Sequence, residues 1–104
     1  MELRGKTIDF KISNKAHAGR YEKALKDMAR KEQEIKAMDQ TKLTDVLDAV
    51  ITMLRDFLLT VTGEDVLQGC EDAEEAQDTY FEFLEEVKKQ KNTFLKPFSI
   101  ERVK

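Results

Sequence analysis

Apolar residues recur along most of this chain at helical spacings, and only its first dozen residues follow another rhythm. Leu43, Leu47, Val50, Leu54, Phe57 and Val61 step by four, three, four, three and four. That rhythm keeps one face of a helix apolar over residues 42–62. Val46, Ile51, Met53 and Leu58 widen the face beyond an ordinary amphipathic stripe, which predicts a central helix with neighbours on more than one side. Thr41 or Thr44 is placed to start this helix, and Gly63 to end it in a left-handed cap.

A first helix is predicted over residues 15–38, capped by Ser13 or Asn14, with Tyr21, Leu25, Met28 and Ile35 as its apolar stripe. A last helix is predicted over residues 73–92. Asp72 opens it with Glu75 three positions later, and Ala76, Tyr80, Phe83 and Val87 face inward. Between the second and last helices, residues 64–69 read as one short helix with Val66 and Leu67 inward. Thr7 to Ile12 alternate instead, which places Ile8, Phe10 and Ile12 on one face of a strand. Gly5-Lys6 is placed to turn that strand back onto Glu2-Leu3-Arg4. The expected fold is mostly α: a three-helix antiparallel bundle with a short connecting helix and a small N-terminal β-hairpin. It forms a single domain over residues 1–95, and residues 96–104 are a tail that Pro97 uncouples from the last helix. Leu47, Val50, Leu54, Phe57, Tyr80, Phe83 and Val87 are expected among the most buried side chains.

Composition narrows the class. The 104 residues are 40% apolar and 38% charged, a balance that excludes both a disordered chain and a membrane-embedded one. Asp45, Asp48, Arg55 and Asp56 interrupt the most apolar stretch, so no membrane span is expected. The first five residues lack the apolar core of a signal peptide, and a single cysteine fits a reducing cytoplasm. The net charge of −3 gives the chain as a whole no attraction for nucleic acid. In the first helix the basic residues are interleaved with acids, and Glu22/Lys26 and Asp27/Lys31 stand at ion-pair spacing, as on a solvated face.

No constellation for catalysis emerges. His17, the one histidine, stands in the first turn of a helix without a neighbouring nucleophile and reads as solvated. Cys70 lacks a second thiol and reads as a small, half-buried contact. The acidic run Glu71–Glu75 does not follow a calcium-loop template, and carboxylates at a helix start are explained by the helix dipole. Gly63 and Gly69 stand six apart, but no lysine follows to make a phosphate loop. No catalytic, cofactor-binding or metal-binding residue is predicted, and the chain is not expected to be an enzyme.

A family resemblance supplies a specific function. A short hairpin precedes a helix containing Ala18-Gly19-Arg20-Tyr21-Glu22-Lys23-Ala24-Leu25. A second helix ends Asp56-Phe57-Leu58-Leu59-Thr60-Val61-Thr62-Gly63, the connection reads Glu64-Asp65-Val66-Leu67-Gln68-Gly69, and the last helix contains Tyr80-Phe81-Glu82-Phe83-Leu84. Over residues 1–95 this order resembles the small helical, tail assembly chaperone-like proteins encoded in tail-morphogenesis clusters of long-tailed bacteriophages and prophages. The resemblance implies a non-enzymatic helper in the host cytoplasm that binds the tape-measure protein or a tail-tube subunit and covers apolar surface. The alternative from another class is a small helical nucleic-acid-binding regulator. The expected partner site is Phe81, Phe94, Leu95, Phe98, Ile100 and Val103, which lie off the core stripe or beyond it. On this reading the alternating stretch 98–103 adds to a partner's sheet edge or swaps onto a neighbouring copy to build a homo-oligomer. Folding back over Phe81 within the monomer carries nearly equal weight.

Overall fold

The computed structural model describes residues 1–98. Strand β1 (Glu2–Leu3) pairs antiparallel with β2 (Lys6–Thr7), Glu2 opposite Thr7 and Leu3 opposite Lys6. The turn is Arg4-Gly5, one residue earlier than the sequence suggests. Both residues have positive φ, 49° and 78°, as the tight turn of a twisted hairpin requires. The alternation that predicts a longer strand ends its ladder at Thr7. Ile8 still exchanges backbone hydrogen bonds with Met1, at 2.7 and 3.2 Å, and residues 9–12 run on without a strand partner, yet the inward face survives: Ile8 and Phe10 are buried and Ile12 is half-buried.

Helix α1 spans Lys15–Lys36, α2 Leu43–Thr62 and α3 Ala73–Leu95, followed by a 3-10 turn at Lys96–Phe98. Asn14 caps α1 by accepting the N–H groups of Ala16 and His17, and Asp72 caps α3 by accepting those of Glu74 and Glu75. Gly63 closes α2 at φ 76°, donating its N–H to the Leu59 carbonyl. No threonine caps α2; its cap position is Lys42, which makes no side-chain capping bond. Residues 64–69 form turns rather than a short helix, although Val66 and Leu67 are buried as expected. Arg55 clamps this connection to α2, its Nε donating to Asp65 Oδ1 at 2.8 Å and a terminal nitrogen to Oδ2. That hydrogen bond, with the guanidinium charge, holds the Asp65 carboxyl below its ordinary pKa.

The core is built from Leu3, Ile8, Phe10, Ala24, Leu54, Phe57, Leu58, Val61, Val66, Leu67, Ala76, Phe83 and Val87. Aromatic rings knit its centre edge to face, Phe10 to Phe83 at 5.2 Å and Phe57 to Tyr80 at 5.2 Å. Helix α2 packs against both α1 and α3, the central position its wide apolar face predicts. Leu47 departs from expectation: it is 41% exposed, because no described residue covers the first half of α2 on that face. Val50 and Tyr80 are only half-buried. The ion pairs of α1 also differ in partner. Asp27 joins Lys23 and Arg30, whereas Lys31 reaches across to Asp56 at 2.7 Å.

Candidate protein-docking groove

The backbones of α1 and α3 never pack directly; they meet only through side chains such as Tyr21 and Phe83, whose rings stand 6.2 Å apart. Two helices held apart leave a cleft, and residues 8–12 fill part of it. Phe10 is wedged among Tyr21, Phe83 and His17. Gln90 of α3 grips the segment with both ends of its amide, accepting the Ile12 N–H at 2.8 Å and donating to the Phe10 carbonyl at 3.0 Å. From the α1 side, His17 Nδ1 accepts the Lys11 N–H at 2.9 Å. The expected solvated histidine is therefore a half-buried latch on the Phe10 segment, and its Nδ1 carries no proton in this arrangement.

Beyond Ile12 no described residue fills the cleft. A groove of about 460 Å³ is lined by Ile12, Ala18, Tyr21 and Leu25 on one side and Phe94 and Leu95 on the other, with Glu22 and Lys91 at its rim. Lys91 Nζ sits 5.5 Å from the Tyr21 ring centroid, within cation–π reach. Burial raises the Tyr21 hydroxyl pKa above its ordinary value, so the ring stays neutral. A second depression of about 420 Å³ shares Ile12 and Phe94 and adds Lys11 and Lys89. Phe94 thus stands as a ridge between two hollows, 49% exposed. The surface can bury aliphatic and aromatic side chains of another molecule, and it contains no nucleophile paired with a base.

The expected partner residues divide. Phe94 and Leu95 line the groove, and both belong to α3, because the helix continues three residues further than predicted. Phe98, 67% exposed, places its ring 6.2 Å from Phe94 at the groove's end. Phe81 is 50% exposed but belongs elsewhere: it leans on Tyr80, and thirteen residues of helix put it about 20 Å from Phe94 along the axis. Ile100 and Val103 lie outside the described residues. The α1 wall was missed. Tyr21 and Leu25 follow the helical stripe and do pack against the core, and nothing in their spacing reveals that they also line a groove facing the end of α3.

Cys70 is half-buried, with its Sγ 3.3 Å from the Asp72 carbonyl oxygen, as a small local contact. Among the described residues no three His, Cys, Asp or Glu side chains converge as metal ligands, and no helix is long and apolar enough to cross a membrane. No protein-family model, curated protein or solved structure matches the chain.

Proposed function

We propose that the chain is a non-enzymatic phage or prophage tail-morphogenesis protein, an assembly-chaperone-like factor of the host cytoplasm. It holds an apolar segment of the tape-measure protein or of a tail-tube subunit in the groove between α1 and the end of α3. The observation that carries this reading is the groove itself, a concave surface floored by Ile12, Leu25 and Leu95, with Phe94 and Phe98 left in solvent beside it. Exposed aromatic ridges next to an apolar hollow are what a docking surface provides, and they cost solubility when nothing docks. The resemblance of the hairpin, helices and Gly-Glu-Asp-Val-Leu-Gln-Gly connection to tail assembly chaperone-like proteins supplies the class of partner.

The test is co-expression with the tape-measure and tail-tube proteins of the same gene cluster. One of them is expected to co-purify with the chain and to remain soluble only in its presence. Phe94→Glu combined with Phe98→Glu should abolish the complex and leave the helical circular-dichroism spectrum unchanged. Retention of neither tail protein by the wild-type chain would rule the reading out, and salt-sensitive retention of nucleic acid in their place would favour the regulator.

A further inference from the structure

The chain's charge is not spread evenly. Residues 11–20 contain Lys11, Lys15 and Arg20 and no acid; residues 87–98 contain Lys88, Lys89, Lys91 and Lys96 and no acid. The formal charge of −3 therefore resolves into +7 on these two segments and −10 on the remainder. The two segments are brought together by the fold, since they supply Ile12, Ala18, Phe94 and Leu95 to the same groove. Little of this charge is neutralised within the molecule. Lys89 reaches Glu86 at 3.7 Å, and among the described residues the other six have no carboxylate within 4.0 Å. Among the described residues Glu22 is the one acid on the groove's rim.

We propose that the groove takes an acidic amphipathic segment of a protein, with an apolar stripe for Ile12, Leu25, Phe94 and Leu95 and carboxylates on its flanks for the surrounding lysines. This deepens the docking function proposed above and rests on it. Charge complementarity selects the sign of the partner's flanks and speeds encounter, while burial against the groove floor supplies most of the affinity. A protein segment is favoured over nucleic acid because the groove is walled by Ala, Ile and Leu side chains, which fit aliphatic knobs. A nucleic-acid strand would call for a flat row of aromatic platforms, and only Phe94 and Phe98 stand exposed here. It also explains the position of Lys91 over Tyr21, where the cation guards the groove mouth instead of pairing with an acid.

Fluorescence anisotropy on the full chain tests this with three labelled probes. The first is a helix-forming peptide with leucines at i, i+4 and i+7 flanked by glutamates; the second has lysines in place of the glutamates; the third is a single-stranded oligonucleotide of about twenty nucleotides. Tiled peptides of the tape-measure and tube proteins form a parallel set. The acidic peptide is expected to bind at least tenfold tighter than the basic one. Its affinity should fall several-fold when salt is raised to about 0.5 M, where screening shortens the Debye length below 5 Å. Lys91→Glu with Lys11→Glu, at the groove and at the hollow beside it, should cost tenfold, and Phe94→Ala should weaken both peptides alike. Equal affinity for the two peptides, or tighter binding of the oligonucleotide than of the acidic peptide, would overturn the proposal. A tail-protein peptide that binds without acidic flanks would do the same while leaving the assembly role intact. Binding of the designed acidic peptide with no tail-protein peptide bound would uphold the groove's chemistry and remove the assembly role.

Discussion

The two halves of α2 carry the same pattern and meet opposite fates. Leu54, Phe57 and Val61 are 4%, 3% and 0% exposed, whereas Leu43 and Leu47, on the same stripe, are 63% and 41% exposed. Side-chain chemistry does not separate them; cover does. Tyr80 and Phe83 of α3 lie over the second half; α1 packs on the first half beside Ala49 and Thr52, and among the described residues no element covers Leu43 and Leu47. A similar division runs across the cleft between α1 and α3, where Phe10 fills one stretch and the next stays open as the groove. Periodicity thus fixes which face of a helix is apolar, while coverage depends on where the neighbouring helix goes.

The sharpest way to break this contrast is to remove the filler. Phe10→Ala should cost about 3–5 kcal/mol in urea unfolding, since the ring is buried among three aromatic neighbours, His17, Tyr21 and Phe83, and its loss joins the filled cleft to the open one. Next comes the paired test on α2. Leu54→Ala should cost about 2–5 kcal/mol and Leu47→Ala less than about 1 kcal/mol. Equal costs would mean that the stripe is covered along its whole length. Gln90→Ala removes both hydrogen bonds that pin residues 10–12. It should cost about 1–3 kcal/mol, with faster amide exchange at Ile12 as its specific mark.

The smallest effect concerns the clamp that closes the covered end. Arg55 depresses the Asp65 pKa in the folded chain, so the pair contributes stability above the ordinary carboxylate range. That contribution is lost as pH falls through the lowered folded value. Asp65→Asn should therefore lower stability at pH 7 and lose less on acidification than the wild type. Parallel acid-unfolding curves would show that the clamp is not coupled to folding.

Much of the frame was legible because its signals are local. Asn14, Asp72 and Gly63 act where their side chains or backbone freedom place them, and the inward positions of Val66 and Leu67 followed from sequence even where the predicted short helix proved to be a turn. The groove was half legible. Phe94 and Leu95 stood out because they follow the last stripe residue, Val87, but Tyr21 and Leu25 share the spacing of true core residues. They pack against the core and line the groove as well, because the backbones of α1 and α3 stand apart there. The basic rim was hidden for a related reason: α1 read alone is a mixture of acids and bases, and the segregation appears once residues 11–20 and 87–98 are neighbours. His17 was misread because its acceptor role depends on a turn that brings the Lys11 N–H back to it.

The measurement that tests the central claim most directly is a methyl and aromatic chemical-shift map of the chain titrated with the acidic amphipathic peptide designed for the groove. The account predicts that Ile12, Ala18, Leu25, Phe94, Leu95 and Phe98 shift together, while Leu58, Val61 and Leu67 in the core and Leu43 on the bare half of α2 stay still. Perturbations centred on Leu43, Leu47 and Phe81, with the Phe94 and Leu95 signals unmoved, would contradict it and place the docking surface elsewhere.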